Sequence, residues 1–220
     1  MGAITRAAAN NITTGGVILP SAINDASVAS VSSLAQVSAG DGITLISSQT
    51  ASNSASISFT SGLTSTYKTY KFVFSSIHAR TDRVEFEFQT STNGGSSYDV
   101  ACTNTIVRAT HNESGGGATL EYDGQMDSAQ STSYVRLTSA GGGISNDADA
   151  AESGNLYLFN PSDTTFVKHF IHHISYYNDD VYNHNGLHAG YFNTTSALNA
   201  INFKMSSGNL NGTIHMYGIA

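Results

Sequence analysis

The sequence predicts an all-β protein, and more specifically an antiparallel two-sheet sandwich of jelly-roll type. Apolar residues in most periodic stretches recur at every second position, which is the spacing of a strand. Clusters of Gly, Asn, Ser and Asp interrupt these stretches at regular intervals, and no stretch has convincing helical periodicity. The 220 residues are enough for one such sandwich with a substantial core.

Residues 1–42 differ in composition from the rest of the chain. They contain a single basic residue, Arg6, and no aromatic residue, because Phe59 is the first of the ten Phe and eleven Tyr. Short apolar clusters alternate with Asn, Gly and Ser, so the segment is either a disordered tail or an extended arm that becomes ordered on a partner. We expect an anchoring arm, followed by one sandwich domain over residues 43–220. The candidate anchoring residues are Ile4, Val17, Ile18, Leu19, Val28, Val31 and Leu34.

The first half of the domain predicts strands over residues 43–47, 55–60, 69–77, 82–90, 98–108 and 119–122. Residues 82–90 show the clearest alternation, with Val84, Phe86 and Phe88 on one face. Arg83, Glu85, Glu87 and Gln89 occupy the other face, which is typical of a sheet with one buried and one wet side. Asn93-Gly94-Gly95 then supplies the residues that a hairpin turn favours.

The second half contains the longest predicted strand, residues 165–177, after shorter strands over residues 133–138 and 155–160. Helical spacing also fits some of its residues, but β-branched and aromatic residues dominate it and lose rotamer freedom in a helix. Alternation places Phe170 and His172 on one face and His169, Ile171 and His173 on the other. We expect the opposite sheet to cover one face and a neighbouring subunit to cover the other. A loop over residues 178–187 and strands over residues 188–193, 198–206 and 213–219 complete the domain.

Composition and charge limit the classes of partner. Charged residues make up 11% of the chain, against about 25% in typical domains. The net charge is −7, and the nine basic residues are scattered, which disfavours nucleic-acid binding. The single cysteine, Cys102, has no internal disulfide partner, so we expect a small buried hydrophobe and assembly in a reducing cytoplasm. The sequence predicts neither a signal peptide nor a membrane span.

No residue cluster predicts catalysis, a metal site or a cofactor. His169 and His173 lie roughly 13 Å apart on a strand, which is too far for one zinc ion. Glu85 and Glu87 have the two-residue spacing seen in sandwich-fold glycosidases, but no third acidic residue follows them soon after. The acidic loop formed by Asn146, Asp147, Asp149 and Glu152 lacks the spacing of a calcium loop.

Two stretches resemble a β-sandwich module that recurs in structural proteins of marine tailed bacteriophages. They are residues 54–60 with 69–99, and above all residues 188–220, which close with Gly212-Thr213-Ile214-His215-Met216-Tyr217-Gly218-Ile219. The resemblance covers roughly residues 43–220. It implies a virion protein, either a capsid decoration or a tail- or head-fibre component, and it implies no catalytic residues.

The leading hypothesis is therefore a non-enzymatic virion structural protein that is assembled in the host cytoplasm. Its arm attaches to other capsid or tail proteins, and its sandwich forms a trimer or another homo-oligomer. The second hypothesis is a module that binds carbohydrate or a host receptor through the Tyr- and Asn-rich loop, with Tyr177, Tyr182, His184 and Asn185 at the contact surface. The third, a glycan-degrading enzyme, depends on Glu85 and Glu87 alone.

Overall fold

The computed structural model describes residues 42–138 and 142–220, which fold into antiparallel strands without a helix. The candidate anchoring residues of the arm lie outside these ranges. The described residues form thirteen strands: β1 (Ile43–Ser54), β2 (Ile57–Phe59), β3 (Thr69–Ala79), β4 (Phe86–Ser91), β5 (Cys102–Asn112), β6 (Thr119–Tyr122), β7 (Ser128–Ser131), β8 (Val135–Arg136), β9 (Glu152–Phe159), β10 (Lys168–Tyr177), β11 (Tyr182–Phe192), β12 (Ala200–Met205) and β13 (Leu210–Ile219).

The strands form two sheets, so the predicted all-β, two-sheet architecture is confirmed. Sheet A has the order β1-β13-β3-β9-β10-β11-β5-β6. Strand β7 also pairs with β5, on the edge that β6 occupies further along the strand. Sheet B has the order β2-β12-β4-β8. We call the side of sheet A that carries the core its inner face and the opposite side its outer face.

The core lies between the two sheets and is rich in aromatic rings. Phe203 of β12 is fully buried at its centre and lies close to five other rings. Its centroid is 5.4 Å from that of Phe72 and 5.3 Å from that of Phe74, both on sheet A. The remaining three neighbours are Phe59, Phe86 and Phe88. Burying a phenylalanine contributes about 1.5–3 kcal/mol, so this cluster holds the two sheets together.

Strand β10 confirms the predicted division of faces but is shorter than predicted. It begins at Lys168 because the carboxylate of Asp163 accepts hydrogen bonds from the backbone N–H groups of Thr165 and Phe166, each at 2.7 Å. These bonds close a turn, and the Phe166 side chain is 69% exposed. Within the strand, buried and exposed residues alternate, with Lys168 buried and His169 exposed.

The predicted loop over residues 178–187 is wrong, because β11 already begins at Tyr182. Its residues pair with β10 on one side and with β5 on the other. The connecting turn is short: the backbone N–H of Asn178 donates to the Tyr182 carbonyl at 3.1 Å. The sequence also gave no signal for β7, which consists of small and polar residues.

The predicted wet face of β4 is largely covered, which corrects a second expectation. Gln89 is fully buried, and its side-chain amide donates to the carbonyl oxygens of Thr132 and Ser133 at 3.2 and 2.9 Å. Arg83 has a φ of 56°, so regular pairing starts only at Phe86. The chain segment before β8 therefore lies over the side of sheet B that alternation alone assigned to solvent.

Cys102 is fully buried, as expected for a small core residue, and burial raises the pKa of its thiol to about 12. Among residues 42–138 and 142–220, no helix is long and apolar enough to cross a bilayer.

Candidate functional site

A groove of about 280 Å³ lies on the inner face of sheet A, where β5, β6 and the start of β11 meet. Strand register brings its residues together, because Thr110 of β5 is paired with His184 of β11 and with Thr119 of β6. Two residues earlier on β5 and on the same face, Arg108 is paired with Glu121 of β6. The lining residues are Arg108, Thr110, Gly117, Thr119, Glu121, Asn178, Asp180, Tyr182 and His184.

The groove lies beyond the end of the main core. On β5 and β11, the core cluster includes only Cys102 and Phe192, at one end of each strand. Further along β5, Ile106 packs against Met126 in a separate small cluster. Beyond Ile106 the inner face of β5 becomes polar, beginning with Arg108, whose side chain is 17% exposed. This part of the inner face is therefore accessible to a ligand.

The charges in the groove are paired with one another. The Nε and Nη2 atoms of Arg108 donate to one carboxylate oxygen of Glu121 at 2.8 and 2.5 Å. The buried carboxylate of Asp123 lies 3.6 Å from the Arg108 Nε atom. On the opposite wall, Asp180 accepts a hydrogen bond from Arg83 at 2.8 Å. Each groove carboxylate therefore has a guanidinium partner, and the Arg108 guanidinium is held in a fixed orientation.

The aromatic wall of the groove is Tyr182, which the β10–β11 turn positions. The side-chain oxygen of Asn178 accepts hydrogen bonds from the backbone N–H groups of Asp180 and Tyr182, at 3.1 and 2.8 Å. Gly117 packs directly on the Tyr182 ring, since a Cβ at that position would lie 2.7 Å from the ring edge. The φ of Gly117 is +65°, which a glycine adopts without strain.

His184 forms the floor of the groove and is buried, so it contributes little contact surface of its own. Its ring stacks on Tyr176, with centroids 4.9 Å apart and planes 20° from parallel. Burial, and to a smaller extent the positive charge of Arg108, lowers the pKa of His184 to about 4. The imidazole is therefore neutral at physiological pH.

The four predicted recognition residues do not form one surface. Tyr182 and His184 lie in the groove on the inner face. Tyr177 and Asn185 lie on the outer face, where they are diagonal neighbours on β10 and β11. Asn185 is engaged there with His173, whose Nε2 atom lies 3.1 Å from the Asn185 Oδ1 atom. Sequence reasoning missed four residues of the groove: Arg108, Thr110, Thr119 and Glu121. The alternation of residues on β5 and β6, continued across the turn at Gly115–Gly117, could have identified them as cross-strand neighbours.

The outer face of sheet A mixes polar and apolar residues and carries most of the exposed apolar side chains of the described residues. Among the described residues, nine large apolar side chains are exposed, and seven of them belong to this face. These seven are Ile43, Leu45, Val107, Leu120, Tyr122, Ile171 and Leu187. Lys71 is the one charged side chain that the described strand registers place on the face, and its ammonium lies 5.2 Å from the ring centre of Tyr157.

A pair of buried histidines lies on the inner face between the groove and the core. His172 of β10 and His188 of β11 are direct cross-strand neighbours, with ring centroids 4.9 Å apart. None of their ring nitrogens has a hydrogen-bond partner among the described residues. Burial lowers the pKa of His188 to about 3 and that of His172 well below its usual range. Glu152 is equally buried, and burial raises the pKa of its carboxyl.

The remaining sequence candidates are separated or already engaged. Glu87 forms an ion pair with Lys204 at 2.9 Å, and Glu85 accepts a hydrogen bond from Ser206 at 2.7 Å. Asp147 is exposed while Glu152 is fully buried, so the predicted acidic loop does not converge. Within the part of the chain that the structure describes, no group of three His, Cys, Asp or Glu side chains could hold a metal ion.

Comparisons with protein-family models, with curated proteins and with solved structures found no match to this chain.

Proposed function

We propose that this protein is a non-enzymatic virion structural protein whose sandwich associates with further copies through the outer face of sheet A. The observation that carries the proposal is the concentration of exposed apolar residues on that face. Scattered apolar residues are normal on a protein surface, but five of these side chains lie together on the neighbouring strands β10, β11, β5 and β6, and such a cluster marks an interaction surface. Along the strands the face carries one charged side chain, Lys71, and a low charge at the centre of an interface favours a permanent contact.

The size of the face is sufficient for a stable contact. Eight neighbouring strands span about 34 Å across the sheet, and strands of about ten residues are about 33 Å long. The face therefore offers about 1,000 Å², whereas a standard interface needs about 800 Å² from each partner. An oligomer such as a trimer would cover the part of β10 that carries His169, Ile171 and His173.

The assignment to a phage particle is supported by the resemblance at residues 188–220. Its closing segment, Gly212 to Ile219, lies on β13, which pairs with both β1 and β3. Under this proposal the two sheets form a jelly-roll-type sandwich of a capsid decoration or of a tail or head fibre. Residues 1–42 attach it to other virion proteins.

The oligomer is tested with charge substitutions on the outer face. Leu187→Glu and Ile171→Glu each replace a half-exposed side chain, so the monomer should still fold. We expect both variants to sediment as smaller species than the wild type at the same concentration. Ser61→Glu, an exposed position between β2 and β3, is the matched control and should sediment as the wild type does. A wild-type chain that is monomeric at high concentration would refute the contact.

The attachment is tested separately by removing residues 1–42. The shortened chain should remain folded but should no longer be incorporated into particles when it is supplied in place of the full chain. Incorporation at full occupancy would contradict the role of the arm.

A further inference from the structure

We propose that the groove between β5, β6 and β11 binds a single neutral sugar residue. This inference is independent of the assembly role, because the groove is on the inner face of sheet A and the proposed contact surface is on the outer face. It combines an aromatic wall, Tyr182, with hydroxyl groups and paired charges within a space of about 280 Å³. That volume is just below the range of about 300–1,000 Å³ for ligand pockets, so the occupant is small.

The charges in the groove exclude an ionic ligand. Arg108 is already engaged by Glu121 and Asp123, so a phosphate or carboxylate would meet a guanidinium flanked by two negative groups. Asp180 is engaged by Arg83, and Glu121 by Arg108, so a cation would have to displace an existing guanidinium. A neutral ligand avoids both costs, because it can add hydrogen bonds to groups that keep their partners.

The polar groups that remain accessible suit a ligand with several hydroxyl groups. The Thr110 hydroxyl donates to the Gly117 carbonyl at 3.2 Å, and the Thr119 hydroxyl, 2.7 Å away, donates to Thr110, so the two hydroxyls present lone pairs to a ligand. The carboxylate of Glu121 is half-exposed and can accept from a ligand hydroxyl while it binds Arg108. A sugar hydroxyl can donate, which matches a wall whose accessible groups are acceptors.

The aromatic residue supplies the apolar part of the site. A sugar ring has a face of C–H groups, and such faces pack on aromatic rings. The Tyr182 ring is fixed by Gly117 on one side, and it meets the buried His184 ring edge-to-face at 6.3 Å between centroids. The ring therefore needs no reorganisation before binding, which reduces the entropic cost of binding a small ligand.

The test uses the full chain and measures binding by nuclear magnetic resonance titration. The probes are free glucose, galactose, mannose and N-acetylglucosamine, with inorganic phosphate as the charged comparison. We expect at least one sugar to saturate the protein and to shift amide signals of β5, β6 and the β10–β11 turn. If none of the four sugars binds, the inference is overturned. Phosphate that binds more tightly than every sugar overturns it equally.

Variants locate the site. Tyr182→Ala should weaken sugar binding by about tenfold through the loss of the ring contact. Thr119→Val keeps the shape of an exposed side chain and removes its hydroxyl, and it should weaken binding by about threefold. Tyr157→Ala, an aromatic position on the outer face, is the matched control and should leave binding unchanged. Wild-type affinity in Thr119→Val, together with wild-type affinity in a folded Tyr182→Ala, would place the sugar elsewhere.

The source of the sugar is distinguished with an oligosaccharide that carries the best-binding sugar at its end. Binding at least as tight as that of the free sugar identifies the groove as a site for glycan ends. Binding of the free sugar alone identifies a site for a soluble monosaccharide. Both results support the sugar assignment, and loss of either in Tyr182→Ala confirms that the groove is responsible.

Discussion

The buried pair His172 and His188 makes the stability of the sandwich depend on pH, and His188→Gln is the variant that isolates this effect. The folded chain keeps the His188 imidazole neutral because its pKa is lowered to about 3 by burial. The unfolded chain binds a proton there at about pH 6.5. Below pH 6.5 the unfolded state therefore binds more protons than the folded state, and stability falls as the pH falls from 6.5 towards 3.

The size of the effect follows from this difference in pKa. Between pH 7 and pH 5 the protonated fraction of His188 rises from about a quarter to nearly one in the unfolded chain, whereas the folded chain gains almost no proton. At about 1.36 kcal/mol per pH unit, the loss of unfolding free energy is about 2 kcal/mol. Glu152 acts in the opposite direction, because its pKa is raised by burial and acidification from neutral pH favours its protonated folded form. The comparison must therefore be made between variants and not on the wild type alone.

The assay is urea unfolding at pH 7 and pH 5. The wild type should lose about 2 kcal/mol more between these values than His188→Gln does, because glutamine is polar but does not titrate. His169→Gln is the control: His169 is exposed on the same strand pair as His188, and this variant should show the wild-type difference. An equal loss in the wild type and in His188→Gln would refute the reasoning, since the buried imidazole would then be accepting its proton without unfolding.

Two further variants test the backbone and the core. Val181, in the β10–β11 turn, is a β-branched residue with a φ of 60°, which asparagine adopts more readily. Val181→Asn should therefore raise the unfolding free energy, measured with urea, by about 1 kcal/mol. An unchanged unfolding midpoint would show that the turn is unstrained. Phe203→Ala should lower it by about 3–5 kcal/mol, because the cavity would lie between both sheets. A loss below 1 kcal/mol would mean that Phe203 does not hold the sheets together.

Alternation in the sequence predicted the faces of strands well and their ends less well. Phe170 and Ile174 are buried and His169 is exposed, as period two requires. The start of β10 was misplaced because it depends on Asp163, a side chain outside the strand that binds backbone N–H groups. Polar composition also hid the first half of β11, since Asn183 and Asn185 face outward there while both backbone edges are paired.

The groove was only partly predictable. The Arg108–Glu121 pair joins residues thirteen positions apart in one hairpin, so turn signals and alternation could have identified it. The pairing of β5 with β11 brings Tyr182 beside them from a distant part of the chain, and no local pattern reports such a register. The sequence could therefore propose Tyr182 as a recognition residue without supplying the groups that act with it.

The outer face of sheet A was also only partly predictable, because alternation identifies the residues of a face but not what covers them. Ile171 and Leu187 have the residue types of core positions, and the sequence predicted cover on both sides of the strand that carries Ile171. In the described chain no second layer lies over them, and about half of each side chain is exposed. Covering such residues is favourable by about 25 cal/mol per Å² of apolar surface. Covering the apolar part of this face therefore favours association, and under the function proposed above the partner is another copy of the chain.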